Sequence, residues 1–341
     1  MGNSLTYPAL LVSDAVNQRY FHHLAFSNGV TYVSEKQVTF IFWQMRENPK
    51  LPEGVKGIEI EQSKLGDTVK KLLAEDNISR LAVEKTIPLD IFSLVRAEVK
   101  DIFVAAEDDI AKLREVKSDW ELEQIRKACE ITDRAFEEVL HFIKPGRSEL
   151  EVAAFLEYQM RILGAQEPNK TIVAAGKNSA YPHHWPTNDR IQSGDFVTMD
   201  YGCRFNGYHS DLTRTVVVGN PSERQRRIYD LVAQAQQTGI LAVKEGIAGK
   251  EADAAARNII DSTEFQGSFL HGLGHGIGLD IHEGTGLGKT EERILKAGMV
   301  VSIEPGIYLE GYGGVRIEDI AVVKKDGLEL LEFSPKELII L

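Results

Sequence analysis

Apolar residues in the first third of the chain fall in short runs, at 9–12, 30–33, 38–43 and 81–83. Their length and β-branched content predict strands, whereas 63–77 and 90–99 carry the helical period. Strand and helix alternate, so residues 1–114 are expected to form a small α/β domain. From Ser118 the pattern changes. Ser118 with Glu121 matches a capping box, and Leu122, Ile125, Cys129, Phe136 and Leu140 trace one apolar stripe toward a stop at Lys144-Pro145-Gly146. A second box, Ser148 with Glu151, opens a helix expected to end at Gly164. A third, Ser222 with Gln225, opens one reaching about Gly246, and 250–262 continues helically. Each helix pair precedes a strand-rich segment.

The strand-rich segments themselves repeat. Gly194-Asp195-Phe196-Val197-Thr198-Met199-Asp200-Tyr201-Gly202 aligns with Gly298-Met299-Val300-Val301-Ser302-Ile303-Glu304-Pro305-Gly306, keeping the glycine, the apolar run, the hydroxyl and the acid in place. Beyond a glycine-bearing turn each acid is followed by another that precedes a β-branched run: Asp211 before 213–218 and Glu318 before 320–323. Internal duplication explains this most economically. Residues 115–341 are therefore expected to be a second, α+β domain of two helix-helix-strand-strand halves related by a pseudo-twofold axis.

Turn chemistry carries the acids from sequence into space. Asn206-Gly207 is a two-residue hairpin signal; with it as the turn, Phe205 faces Tyr208 and Asp200 faces Thr213. Asp200 and Asp211 then share a sheet face in diagonal register, roughly 7 to 8 Å apart at the backbone. The 311–314 loop leaves the register of Glu304 and Glu318 open, and centring it on Tyr312 puts both on one face. Six of the nine histidines lie between His183 and His282, three of them (His271, His275 and His282) in or beside a glycine-rich stretch that lets backbone approach a ligand closely. Four carboxylates at one site repel by about 4 kcal/mol per close pair at a surface-like dielectric. Two divalent cations would cancel them, and a set of four oxygen donors and one imidazole suits such a pair better than a nucleophile triad. His22 and His23, adjacent and on opposite faces if on a strand, read as ordinary structural histidines.

At 341 residues the chain is long for one core, and 43% hydrophobic with 26% charged residues is an ordinary globular balance. A net charge of -12 disfavours nucleic acid as a partner, since no basic stripe is present to replace phosphate counterions. Two cysteines make no disulfide framework and point to a reducing, cytoplasmic compartment. No apolar run reaches bilayer-spanning length, so no membrane is expected as a partner. The opening Met1-Gly2-Asn3-Ser4-Leu5-Thr6 matches a short myristoylation pattern, one that recurs by chance and is set aside.

On the order Asp200, Asp211, His275, Glu304, Glu318, with separations of 11 and 14 inside the acid pairs, the chain from about Lys112 to Leu341 resembles the pita-bread metallopeptidases, the group of methionine aminopeptidase, Xaa-Pro aminopeptidase and prolidase. That resemblance implies that these five residues hold two divalent ions, Mn²⁺ first with Co²⁺ or Zn²⁺ as alternatives, and that Asp211 and Glu318 are shared between them. It further implies that His183 and His282 contact substrate, with His271 nearby, that Arg316 supports the metal carboxylates, and that Glu304 relays the proton of an activated water. The first domain resembles the creatinase-type domain of the proline-specific branch. The expected reaction is cleavage of the Xaa-Pro bond, with prolidase-type action on dipeptides ahead of Xaa-Pro aminopeptidase action on longer peptides; a homodimer is the family expectation. Metal-free creatinase-like hydrolysis and a non-catalytic binding module are set against the complete ligand set. Two stretches depart from the family pattern and bear on the substrate pocket: Gly284-Thr285-Gly286 lacks the usual proline after His282-Glu283, and Asn169-Lys170 stands where relatives carry a small or aromatic residue followed by an acid.

Overall fold

The computed structural model describes residues 6–24, 28–44, 49–105 and 109–341; Met1 to Leu5, which carry most of the myristoylation-like pattern, lie outside them. The chain divides into two compact units, Met1–Arg114 and Glu115–Leu341.

The first unit runs β1 (Ala9–Val12), α1 (Ala15–His22), β2 (Gly29–Ser34), β3 (Val38–Phe42), β4 (Val55–Glu59), α2 (Leu65–Asp76), β5 (Leu81–Val83), α3 (Leu89–Glu98), β6 (Ile102–Val104) and α4 (Asp109–Glu115). Its strands form a mixed sheet in the order β4-β3-β2-β1-β5-β6. Leu11, Tyr32, Ile41, Val69, Val83 and Val95 fill the core where α2 and α3 cover one face. Four elements go beyond the sequence expectation. β4 and β6 are edge strands whose exposed positions dilute the apolar run. In α1 the buried positions are Asn17, Gln18 and His22, so no apolar stripe marks it; Asp14 starts it by accepting from the Val16 and Asn17 N–H groups. α4 lies in a stretch for which the apolar pattern gives no element. His22 and His23 therefore end a helix rather than lie on a strand, with His23 in the left-handed region at φ 59°.

The second unit opens with α5 (Asp119–Leu140) and α6 (Glu149–Ile162), followed by β7 (Glu167–Pro168), β8 (Ile172–Ala175), β9 (Phe196–Tyr201), β10 (Cys203–Phe205), β11 (Tyr208–His209) and β12 (Leu212–Val217). α7 (Glu223–Ala242) and α8 (Gly249–Asp261) then precede β13 (Val300–Ile303), β14 (Gly306–Leu309), β15 (Gly313–Arg316), β16 (Asp319–Lys324) and β17 (Gly327–Leu330). All three capping boxes form. α7 stops at Ala242, short of Gly246, because Val243 is already extended.

The pseudo-twofold is visible in matched hydrogen bonds. Gly146 N–H donates to Ile191 O and Gly246 N–H to Leu295 O, both at 2.9 Å. Sheets β12-β9-β8 and β13-β16-β17 occupy equivalent places after their helix pairs. Phe136, Leu156, Val173 and Met199 pack the first half, and Val232, Ala256, Val301 and Val323 the second. A bridge between Thr213 and Glu318 joins the halves, Glu318 N–H donating to Thr213 O at 3.1 Å. The architecture is the α+β pita-bread arrangement preceded by a smaller α/β domain.

Candidate functional site

Register brings the acids together. Asn206 and Gly207 have φ of 47° and 88°, the two positive values of a type I′ turn, and Phe205 pairs with Tyr208 and Asp200 with Thr213. In the other hairpin, Leu309 pairs with Gly313 and Ile303 with Asp319. Its centre is thus Gly311, which settles the open register and sets Glu304 and Glu318 opposite each other, where a centre at Tyr312 would have set them diagonally. They share a face either way. Glycines 311, 313 and 314 make several centres available, which is why the sequence left the choice open.

His275 arrives on a segment that adds itself to β13. Ser302 N–H donates to His275 O at 2.8 Å, Glu304 N–H to Leu273 O at 2.7 Å, and Ile277 N–H to Val300 O at 3.1 Å. A Cβ on Gly274 would collide with Ser302 O, and one on Gly276 with Glu283 O. Close backbone approach, rather than contact with a ligand, is what requires these two glycines.

Ligand atoms of Asp211, His275 and Glu318 lie within 4.8 Å of one another. His275 Nδ1 can only donate to Gly276 O, at 3.1 Å, which leaves the Nε2 lone pair facing Glu304 Oε1 at 3.4 Å and Asp211 Oδ2 at 3.6 Å. Glu304 Oε1 accepts from Ser302 Oγ at 3.0 Å. Arg316, buried, donates through Nη2 to Asp200 Oδ2 at 2.5 Å, through Nε to Thr213 Oγ1 at 3.0 Å and through Nη1 to Tyr308 OH at 2.9 Å. Thr213 Oγ1 in turn donates to Glu318 Oε2 at 2.6 Å. Glu318 Oε1 is buried with no hydrogen-bond partner among the described residues, a cost that protein interiors rarely leave unanswered. Burial, compounded by the neighbouring carboxylates, pushes Asp211 and Glu318 far above the carboxylate range, and burial raises Glu304 to about 7. Such a cluster ionises fully only around cations. Four carboxylates, one oriented imidazole and one orphaned oxygen fit a pair of divalent ions.

The histidines separate by position. His282, exposed, lies with its ring 4.0 Å from that of His275 on the open side. His183 is exposed on the rim and near enough to His282 and His271 to depress both electrostatically. His271 does not reach the cluster directly. Its Nδ1 donates to Gly272 O at 2.8 Å and its Nε2 accepts from Tyr308 OH at 2.7 Å, so a chain His271–Tyr308–Arg316–Asp200 supports the acids from behind. Burial, with Arg316 close by, pushes its pKa down to about 3.

Sequence reading passed over several supports. Thr213, Ser302 and Tyr308 carry no charge, and only the shared hydroxyl of the duplicated strands hinted at Ser302. Glu149, buried, accepts from Ala175 N–H (2.8 Å), Asn178 Nδ2 (3.0 Å), and the Thr187 N–H (2.9 Å) and Oγ1 (2.8 Å), with His184 Nε2 at 2.8 Å. It fixes the segment bearing His183. Glu283 is salt-bridged to Lys117 at 2.8 Å with both side chains buried, and it accepts from Asp280 N–H at 3.0 Å. This anchors the loop of His282 where proline is missing; Gly284 (φ 63°) completes the bend. Asn169 Nδ2 donates to Ser210 O at 2.7 Å, next to Asp211.

Comparison with known proteins agrees with this geometry. Residues 123–325 match the model of metallopeptidase family M24, and residues 3–116 that of the creatinase/prolidase N-terminal domain. The chain is 41% identical over 285 residues to a Xaa-Pro dipeptidase of Pyrococcus horikoshii, covering 83% of this chain and 80% of that protein. The solved structure of a Xaa-Pro dipeptidase from Bacillus anthracis superposes with a TM-score of 0.91 at 38% identity, over 98% of this chain and 95% of that one. That of an X-Pro aminopeptidase from Thermotoga maritima gives a TM-score of 0.91 at 32% identity, over 99% and 98%. With five metal-type side chains converging between duplicated halves and a family match across most of the second unit, the chain belongs to metallopeptidase family M24.

Proposed function

We propose that the protein is a Xaa-Pro dipeptidase whose chemistry is carried by residues 115–341, with 1–114 as the creatinase-type domain. The observation that carries the reading is the approach of Asp211, His275 and Glu318 to one another, with Glu304 beside His275, Asp200 held by Arg316, and one Glu318 oxygen left without a partner among the described residues. These five would hold two divalent ions, Asp211 and Glu318 contributing to both. When bound, such ions polarise a carbonyl and lower the pKa of water toward neutrality. Glu304 takes the proton of the attacking water and returns it to the departing proline nitrogen. His282, with His183 beside it, donates to the oxygen on which charge develops. Arg316 holds Asp200 and, through Thr213, Glu318 in their orientations; His271 steadies Arg316 through Tyr308.

Relatives named Xaa-Pro dipeptidase at about this identity support the dipeptidase reading. The similarity to the Thermotoga maritima X-Pro aminopeptidase supports a second, in which longer peptides are accepted. Mn²⁺ as the metal, a homodimer and a cytoplasmic location complete the proposal. Gly-Pro and a proline-containing tripeptide, each assayed with Mn²⁺, Co²⁺ and Zn²⁺ in turn, separate these readings. Release of proline from Gly-Pro, abolished by a chelator, is the expected result. Turnover insensitive to chelation, or confined to the tripeptide, would overturn the primary reading.

A further inference from the structure

Lys170 belongs to the stretch that departs from the family pattern, and its surroundings give it a use. Ile172 pairs with Asp200, so β8 runs beside the strand of the first acid. Lys170 lies two residues before Ile172, in the short link between β7 and β8, where the Asn169 N–H donates to Gly202 O at 2.8 Å. Its neighbour Asn169 is bonded to the Ser210 carbonyl that precedes Asp211. Among the described residues Lys170 has no carboxylate partner; its Nζ instead lies 3.7 Å from the centre of the Trp185 ring. Trp185 is held out for this. His184 turns inward to buried Glu149, leaving His183 and Trp185 on either side of it exposed, and the five contacts made by Glu149 hold the whole segment. An aromatic face that seats an ammonium without neutralising it keeps the charge positioned and available.

Resting on the dipeptidase reading, we infer that Lys170 on Trp185 is a receptor for a substrate carboxylate at the rim of the acidic centre. The position explains why a cation is useful there. With the four acids balanced by the ions they would hold, one fixed positive group at the edge of the cleft orients an anionic peptide end. Two sources present the same chemistry: the free terminal carboxylate of a dipeptide, or an acidic side chain on the residue before proline.

Steady-state kinetics on wild type, Lys170→Gln, Lys170→Glu and Trp185→Leu test this with Ala-Pro, Ala-Pro amide and Asp-Pro amide. With the terminal carboxylate as ligand, Lys170→Glu raises KM for Ala-Pro roughly tenfold or more, the scale of one charge-assisted hydrogen bond, and leaves Ala-Pro amide within about twofold. With the side chain as ligand, the loss appears on Asp-Pro amide and spares Ala-Pro. Lys170→Gln gives the same pattern more weakly, and Trp185→Leu follows it because the ammonium is no longer seated. Equal changes on charged and neutral substrates, or none on any, overturn the inference. Wild type inert toward all three refutes the dipeptidase reading alone; calorimetric binding of the same peptides, which needs no turnover, then decides the inference by the same contrasts.

Discussion

Thr213 carries no charge, yet its hydroxyl links Arg316 to Glu318, accepting from the first at 3.0 Å and donating to the second at 2.6 Å. Thr213→Val keeps the shape and removes the link, stranding a buried guanidinium N–H at a cost of about 1–3 kcal/mol and freeing the Glu318 carboxylate to rotate. Loss of such an outer partner costs about 10- to 100-fold in metal affinity. Titration calorimetry with Mn²⁺ should find a folded protein weakened by that factor; unchanged affinity would make the hydroxyl dispensable. His275 and His282, their rings in contact, should part company in the same experiment. His275→Ala loses metal and turnover together. His282→Ala keeps its metal and loses about 10²- to 10³-fold in turnover, the usual cost of one donor to a developing oxyanion. If His282→Ala lost the metal while His275→Ala kept it, the assignment would be reversed.

At the scale of elements, the site depends on how closely two backbones approach. Gly274 lies against the Ser302 carbonyl with no room for a Cβ, whereas a Cβ on Gly288 would meet nothing within 4 Å. Gly274→Ala should therefore push the His275 segment off β13 and lower metal occupancy with all five acid and imidazole groups intact; Gly288→Ala, the control, should not. Metal content of both variants after reconstitution checks this, and equal occupancy would show that the segment tolerates displacement. The same elements show what a sequence can disclose. The Asp200 hairpin was legible because Asn206-Gly207 permits one tight turn with positive φ at both positions, and that fixes register. The register of the Glu304 hairpin stayed open because three nearby glycines make its turn degenerate. Capped helices α5, α6 and α7 announce themselves locally. α1 does not, since what it buries is polar, and Tyr308, Thr213 and Glu149 act only through partners far along the chain.

For the whole molecule, the two units should respond to different chemical variables. Ions that bind only the folded second unit stabilise it by mass action, about 2.7 kcal/mol at a concentration of 100 times Kd, so chelation should lower its Tm. The first unit holds no such acid cluster among its described residues, but it buries His22. There Nδ1 accepts the Leu24 N–H at 3.1 Å, the ring lies 4.4 Å from that of Phe40, and Nε2 has no partner among the described residues. Burial, with His23 and Arg19 adding to it, pushes the pKa from 6.5 down to about 4. Because the folded value lies below the unfolded one, the native state takes up fewer protons between them. Stability should hold above pH 6.5, fall as pH drops through 6.5 toward 4, and level off below, for a total of about 3 kcal/mol at 1.36 kcal/mol per unit. Trp43, buried in the first unit, reports on it once Trp120 and Trp185 of the second are replaced by Phe. In that background the Trp43 transition should move with pH from 7 to 4.5 and ignore chelator, while far-ultraviolet circular dichroism should show a chelator-sensitive transition from the second unit. His22→Asn can still accept the Leu24 N–H but does not titrate, so its Trp43 transition should lose most of that slope. A slope as steep in His22→Asn as in the parent would place the acid sensitivity elsewhere.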